Sequence, residues 1–331
     1  MFRKVVYTLV CIVAVAAAVG SSLSLLTDTP SKYLKFLDFP RLQFFWAAVA
    51  SVPLFIACTR HWRWYDGLLV FGLVASAGIQ AYYLVNYTPL VGQDVPAATA
   101  DAPAERRVKL LMANVKMDNR AGQLLLNAIQ REDPDLVLAM ETDAWWDEQL
   151  ASVQARYPYG HEVINDVAYG MVLYSRFPLE GLEVYYPQND QVPAFETVVR
   201  LPDGTPFELH TVHPVPPTDF QRMPDNEGQS EKAFLRIGER VAASALPVVV
   251  AGDYNDVTWS RVDRLTGTDD LLYDVRVGRG LYSSFDAGNP LLRWPLDHVF
   301  VTEEFSVGRL ALLGDIGSDH FPVVVELVLG E

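Results

Sequence analysis

Three stretches near the N-terminus lack a polar period altogether. Val5 to Leu26, Leu42 to Cys58 and Gly67 to Leu90 contain no Lys, Arg, Asp or Glu. Each approaches the ~20 apolar residues that cross ~30 Å of hydrocarbon as a helix, the second at the short end. The pattern predicts three transmembrane helices, at about 5–26, 42–58 and 67–90, which makes residues 1–92 a membrane anchor. Buried helices of a soluble domain would require three charge-free segments in succession, which soluble chains rarely contain. Gln93 to Arg107, rich in Ala, Pro and Asp with no apolar period, reads as a linker.

From residue 108 onward the period changes, and residues 108–331 read as one domain. Short apolar or alternating runs predict strands at 108–115, 136–140, 170–174, 195–201, 206–213, 246–251, 296–301, 307–313 and 322–329. Leu124, Leu125, Ala128 and Ile129 share one face of a helix over 122–130. Phe234, Leu235, Ile237 and Val241 do the same over 226–244. Strand-helix alternation in the earlier part suggests crossover units, and the last three strands, with no helix between them, suggest antiparallel pairing. An α/β sandwich built on mixed sheets accommodates both.

Charge divides the chain at the same place. The net charge of −15 splits into +3 over residues 1–99 and −18 over the remainder. A domain this acidic repels a polyphosphate backbone unless a metal or a local basic patch compensates, so avid non-specific binding of duplex DNA is disfavoured. Cys11 and Cys58 both fall within the apolar helices, which leaves the rest of the chain without a disulfide or a thiolate metal site. Arg3, Lys4, Arg60 and Arg63 flank the first three helix ends on one side, and no Lys or Arg follows the third helix until Arg106. That asymmetry places the basic ends in the cytoplasm and the C-terminal domain outside it, as an integral protein of the inner membrane. Lys32, Lys35 and Arg41 weigh the other way. Ala16-Ala17-Ala18 also offers small residues for cleavage if the first segment is a signal peptide.

The candidate chemistry lies at strand ends. Asn114 closes the first strand of the domain and Glu141 follows the second; alone, the first suits a local turn bond and the second a helix N-terminus. His210 and His213 project from opposite faces of one strand, so they do not bind one metal together, and His213, before a Pro-stiffened loop, is the better candidate. Asp253 and Asn255 flank Tyr254 directly after the apolar run Leu246 to Ala251. An Asx turn explains them, and so does a water-activating carboxylate beside an amide donor. Asp297-His298 and Asp319-His320 repeat an acid-imidazole pair, in which the carboxylate fixes the tautomer and raises the basicity of the ring. Hard oxygen donors without Cys favour Mg²⁺ over Zn²⁺.

Taken in order, Asn114, Met140-Glu141, Gly170 to Arg176, Thr211-Val212-His213-Pro214, Gly252-Asp253-Tyr254-Asn255, Leu296-Asp297-His298 and Ser318-Asp319-His320-Phe321-Pro322 resemble the endonuclease/exonuclease/phosphatase superfamily over roughly residues 107–330. The Gly-Asp-Tyr-Asn and Ser-Asp-His-Phe-Pro segments are the specific parts. The resemblance implies a deoxyribonuclease I-like sandwich of two mixed sheets flanked by helices, with its site at one rim. It implies Mg²⁺ or Mn²⁺ held chiefly by Glu141 with help from Asn114 and Asp319. Asp253 would orient or deprotonate the attacking water, Asn255 would contact the phosphate, and His213 would stabilise the equatorial oxygens. His320, oriented by Asp297, would act as base or as transition-state donor. Met140 and Tyr254 depart from the residues common at those positions, where Gln and Phe or Leu are frequent.

These readings converge on a membrane-anchored, divalent-metal-dependent phosphoesterase. Its substrate would be a phosphodiester, such as a nucleic acid or a lipid head group, or a phosphomonoester at the membrane surface. No protein partner is predicted. The competing reading is a non-catalytic membrane receptor that uses the same sandwich for binding.

Overall fold

A computed structural model describes residues 2–26, 31–216, 229–259, 261–268 and 270–330. The chain forms two compact units, Met1–Leu90 and Val91–Glu331.

The first unit holds α1 (Phe2–Leu23), the single turn α2 (Lys32–Lys35), α3 (Arg41–Cys58) and α4 (Trp64–Leu84). Helices α1, α3 and α4 are long and apolar enough to cross a membrane. Leu9, Ile12, Leu54 and Phe71 point outward, exposed by half or more, as lipid-facing residues do where all backbone polar groups are satisfied inside the helix. Ala14, Ala48 and Leu73 meet in the middle of the bundle. Small polar groups tie the helices together: Ser21 Oγ lies 2.7 Å from Ser76 Oγ, and Arg41 Nη1 donates to Gln80 Oε1 at 3.0 Å. Buried Arg41 also pairs with Asp38. Such side-chain bonds contribute about 1 kcal/mol each between membrane helices. The third span, expected to reach residue 90, leaves α-geometry at Leu84 and tightens into a 3₁₀ turn over Val85–Tyr87, because Pro89 disfavours helix in the residue before it.

In the second unit the described residues form twelve strands. They are β1 (Arg107–Asn114), β2 (Leu136–Met140), β3 (Tyr159–Val163), β4 (Met171–Ser175), β5 (Leu179–Tyr185) and β6 (Ala194–Arg200), followed by β7 (Pro206–Val212), β8 (Val248–Asp253), β9 (Tyr273–Asp274), β10 (Asp297–Val301), β11 (Phe305–Leu312) and β12 (Val323–Leu329). The helices are α5 (Gly122–Glu132), α6 (Ala144–Gln154), α7 (Gln229–Ala243) and α8 (Val262–Thr266). Two six-stranded sheets result, ordered β11-β12-β1-β2-β4-β3 and β5-β6-β7-β8-β10-β9. In each, one parallel pair is joined by a helical crossover, β1 to β2 through α5 and β7 to β8 through α7. The other neighbours are antiparallel.

The strand centres read as unbroken apolar runs because both faces are covered. Met112, Leu138, Phe195, Leu209, Val249, Val299 and Val325 fill the space between the sheets. Leu111, Val137, Leu125, Ile129 and Trp146 pack under α5 and α6 on one outer side, while Phe234, Ile237, Val250 and Phe300 pack under α7 on the other.

Several expectations change. The strand at 297–301 does not pair with those that follow it; it lies in the second sheet against β8, while β11 and β12 pair in the first. Only the last two strands therefore form the expected antiparallel pair. Helices α6 and α8 and strands β3, β5 and β9 were not foreseen. Helix α6 starts where Asp143 accepts a hydrogen bond from Trp146 N at 2.9 Å, an N-cap. The edge strands β3 and β5 are largely exposed and show no apolar stripe. The helix expected over 226–244 is described from Gln229, its first residues lying outside the described ones. Within residues 93–107, Val95 is buried in the inter-sheet core and Ala97 pairs in parallel with Val307.

Candidate active site

Topology alone gathers the candidate residues. Strands β1, β2, β7 and β8 end at one rim, and β10 and β12 run antiparallel to their neighbours, so their first residues start at that same rim. Asn114 ends β1, Glu141 follows β2, His213 follows β7 and Asp253 ends β8. Asp297 opens β10 directly opposite Asp253 in the ladder. His320 precedes β12, whose Val323 pairs with Met112 of β1.

Close backbone approach within each sheet shapes this edge, and Asn114 of one sheet bonds Asp253 of the other across it. Gly252 sits at φ 153°, and a Cβ there would lie 1.9 Å from Val212 O, so only glycine lets β8 run tight against β7. At Gly170 a Cβ would meet Thr142 O at 1.8 Å, and Thr142 N donates to Gly170 O at 3.1 Å. That contact holds the loop carrying Glu141. Lys116, Glu141 and Asn255 adopt φ of 56°, 63° and 51°, a left-handed conformation uncommon outside glycine that concentrates where a fold positions functional groups.

Asn114 is the hub. Its buried Nδ2 donates to Glu141 Oε1 at 2.7 Å and to Asp253 Oδ2 at 3.0 Å, while its Oδ1 accepts from Lys116 N at 2.9 Å. The local turn bond is thus present, and the amide also bridges two carboxylates. Glu141 caps no helix; Asp143 does that, and Glu141 Oε2 accepts from Met117 N at 3.2 Å. Although one edge of Glu141 stays open, burial among protein atoms pushes its carboxyl up to about 7 against the opposing bonds from Asn114 and Met117.

His320 stands between two carboxylates. Its Nδ1 lies 2.7 Å from Asp297 Oδ2 and its Nε2 3.6 Å from Asp253 Oδ2. Burial opposes the charged ring, but Asp297 and Asp253 outweigh it and raise its pKa to about 10, so the group is an imidazolium at neutral pH. Its backbone is fixed by Ser318, whose Oγ accepts from His320 N at 3.1 Å and donates to Asn114 O at 2.8 Å. Asp253 is wholly buried, which raises its pKa, while His320, His213 and the Asn114 amide pull the other way. Its backbone N–H donates to Met140 Sδ at 3.2 Å, and its Oδ1 accepts from Asn255 N at 2.8 Å. The Asx turn anticipated here therefore coexists with the cluster.

His213 has its Nε2 3.7 Å from Asp253 Oδ2. Burial lowers its pKa to about 4, so the ring is neutral. Neither of its nitrogens has a hydrogen-bond partner among the described residues, an unusual state for a buried imidazole. Asn255 Nδ2 donates to Pro214 O at 3.0 Å, which ties the Asn255 loop to the His213 loop. Asp319 Oδ2 lies 3.1 Å from Lys116 Nζ.

Two neighbours escaped the sequence reading. Lys116 brings a cation to Asp319, and buried Tyr169 packs at a tilt against His213, ring centroids 5.2 Å apart. Both lie just outside the strand-end positions, so strand boundaries alone gave no signal for them. His298, paired in sequence with Asp297, points to the other side of the sheet. Its Nε2 bonds Asp256 O at 2.8 Å, and the ring packs among Tyr254 and Phe300. Tyr254 stacks on Phe234 in the same layer, away from the cluster. His210 is buried on that outer face too, 2.6 Å from Glu208.

The donor set suits a divalent cation. Asp253, Asp297 and His320 offer ligand atoms within 4.8 Å of one another, but His320 Nδ1 is already committed to Asp297. The Glu141 carboxylate is the better-suited oxygen donor: burial disfavours its charge, no basic side chain bonds it among the described residues, and a cation would relieve that cost. Asn114 bonds it directly, and Asp319 pairs with Lys116, two residues after Asn114.

The fold is found in solved structures. D. rerio TDP2 complexed with a single-strand DNA product superposes at TM-score 0.54, with 16% identity over 67% of this chain and 98% of that one. A mannosyl-6-phosphatase of Bacteroides thetaiotaomicron gives 0.52 with 19% identity over 67% and 100%. An endonuclease/exonuclease/phosphatase of Beutenbergia cavernae gives 0.52 with 20% identity over 68% and 72%. Residues 113–320 match the profile of the Endonuclease/Exonuclease/phosphatase family; that is more than half of the chain, and the chain belongs to this family.

Proposed function

We propose that the protein is a membrane-anchored, divalent-metal-dependent phosphoesterase that hydrolyses a P–O bond at the membrane surface. The observation that carries this reading is the placement of His320 between Asp297 and Asp253, beside a buried His213 whose ring nitrogens are free of hydrogen bonds among the described residues. A binding module needs no buried carboxylate-imidazole-carboxylate row, whereas hydrolysis at phosphorus needs a water-orienting base and cationic donors.

In this reading Asp253, presented by the end of β8 and restrained by Asn114 and Asn255 N, orients the attacking water and takes its proton. His320, charged at neutral pH, donates from Nε2 to a phosphoryl oxygen, and Asp297 holds the ring and its charge in place. Neutral His213 donates one N–H to another oxygen. Asn255 would contact the phosphate, and Tyr169 packs against the His213 ring. Glu141 would hold Mg²⁺ or Mn²⁺ with Asn114 and Asp319. The bound cation would neutralise charge developing on the phosphoryl group.

Candidate substrates are phosphodiesters, including a nucleic acid or a lipid head group, and phosphomonoesters. The structural neighbours include one named as a mannosyl-6-phosphatase and one bound to single-strand DNA, so the fold accommodates more than one of these classes. The net charge of −18 beyond residue 99 and the apolar helices before it favour a lipid or small-molecule ester over duplex DNA. The basic flanks of the helices favour a catalytic domain outside the cytoplasm.

The test is hydrolysis by the full chain in detergent, against an aryl phosphodiester, an aryl phosphomonoester, DNA and phospholipid vesicles, with and without chelator. Turnover that needs Mg²⁺ or Mn²⁺ supports the proposal, and the preferred substrate selects among the classes. Metal-independent ligand binding without turnover would support the receptor reading instead.

A further inference from the structure

At one end of the anchor bundle the N-terminus of α1, the C-terminus of α3 and the N-terminus of α4 surround a cavity of about 610 Å³. Arg3, Lys4, Arg60, His61 and Arg63 line it, against a single acid, Asp66. That acid is already engaged. Tyr7 Oη donates to Asp66 Oδ1 at 2.6 Å, and Arg63 N donates to Asp66 Oδ2 at 2.8 Å. Arg3 is steered inward by its Nε, which donates to Cys58 O at 3.0 Å and leaves the rest of its guanidinium toward the cavity. Four permanent cations therefore converge on one concave space with no free carboxylate among the lining residues to neutralise them. Lys4, Arg60 and Arg63 are solvent-exposed, and like charges gathered at one concavity draw an anion to it.

The depth of this cavity is marked independently. Trp62 and Trp64, on the loop and first turn between α3 and α4, are 54% and 78% exposed. Exposed tryptophans beside the ends of apolar helices sit at the level of lipid head groups, where an amphipathic ring is most stable. Trp62 and Trp64 alternate in sequence with His61, Arg63 and Tyr65, which line the cavity, at the end of helices whose outward faces are apolar. Basic pockets between membrane helices at this depth suit phosphate head groups.

We propose that this cavity is a binding site for the phosphate of an anionic membrane lipid, contacted by Arg3, Lys4, Arg60 and Arg63. It lies wholly within the anchor unit and does not depend on the hydrolytic reading. The chemistry recognised is a phosphate ester with a free negative charge. The exposed tryptophans and the outward-facing apolar residues of the helices assign the source to the bilayer rather than to a soluble metabolite.

Native mass spectrometry of the full chain in detergent tests this, with phosphatidylglycerol, phosphatidylcholine and soluble glycerol phosphate as probes. The expected result is saturable retention of one phosphatidylglycerol and none of phosphatidylcholine. The double variant Arg60→Gln/Arg63→Gln should weaken that retention by about thirtyfold, the scale set by removing two cations from an anionic head group. Arg60→Lys/Arg63→Lys should retain it, and Lys35→Gln, on α2 beyond the opposite end of α1, should leave it unchanged. Should the Gln pair lose its helical circular dichroism, Arg3→Gln/Lys4→Gln provides the same comparison. Equal retention of both lipids, or undiminished phosphatidylglycerol binding by folded Gln variants, would overturn the proposal. Displacement of the lipid by an equal concentration of glycerol phosphate would overturn the lipid assignment in favour of a soluble phosphate ester.

Discussion

His320 Nδ1 lies 2.7 Å from Asp297 Oδ2, although 23 residues separate them in sequence and Asp297 is adjacent to a different histidine. This bond fixes the orientation of the ring and supports the positive charge that makes His320 a donor. Asp297→Asn is expected to keep the fold, lower the pKa of His320 from about 10 and reduce the hydrolytic rate by ~10² or more, the usual worth of a positioned proton donor. NMR titration of the His320 ring beside steady-state kinetics checks both parts. An unchanged rate with an unchanged ring pKa would show that Asp297 plays no part.

Asn114 satisfies two carboxylates with one amide. Asn114→Ala leaves Glu141 and Asp253 without that donor, and a stranded buried polar group costs about 1–3 kcal/mol. The variant should unfold at lower temperature than the parent without metal, and added Mg²⁺ should raise its midpoint by less. Differential scanning calorimetry with and without Mg²⁺ reads both effects.

The glycine of the Asp253 turn is a matter of space. Because a Cβ at Gly252 would fall 1.9 Å from Val212 O, Gly252→Ala forces β7 and β8 apart. A loss of more than about 3 kcal/mol is expected, at the upper end for single substitutions. Urea unfolding midpoints decide it, and an unchanged midpoint would contradict the tight packing of that ladder.

Burial of neutral His213 gives a pH dependence of stability. Its ring titrates near its ordinary 6.5 when unfolded and at about 4 in the folded protein. Between these values the unfolded chain binds the extra proton, so stability falls as the pH is lowered from about 6.5 to about 4 and is unaffected by this group above that window. The full displacement corresponds to at most about 3 kcal/mol. His213→Gln should flatten that part of the profile in thermal unfolding scans taken across the window. A parent and variant with parallel profiles would show that the ring titrates normally.

The site was legible in the sequence where a strand end carried it. Asn114, Glu141, His213, Asp253, Asp297 and His320 all follow or begin apolar runs, and strand polarity alone delivers them to one rim. What sequence could not show was pairing across the two sheets. Asp297-His298 and Asp319-His320 look like two equivalent dyads, yet strand alternation turns His298 into the layer with Tyr254 and Phe300, while Asp297 reaches His320 from the other sheet. The strand at 297–301 was assigned to the wrong neighbours for the same reason: absence of a helix in the connection does not say which sheet a strand joins. Strands β3 and β5 lie at sheet edges with largely exposed residues, so no apolar period announced them. Lys116 and Tyr169 act from loop positions whose role depends on where Asp319 and His213 arrive in space.

Metal-dependent hydrolysis of a phosphate ester is proposed for the His320-Asp297-Asp253 cluster. The most direct measurement is turnover of an aryl phosphodiester and an aryl phosphomonoester by the full chain in detergent with Mg²⁺ or Mn²⁺, beside Asp253→Asn, His320→Ala and a chelated sample. The account predicts turnover of at least one ester by the parent, abolished by chelation and lowered by ~10² or more in both folded variants. Turnover that survives chelation, or that is undiminished in Asp253→Asn and His320→Ala, would contradict it.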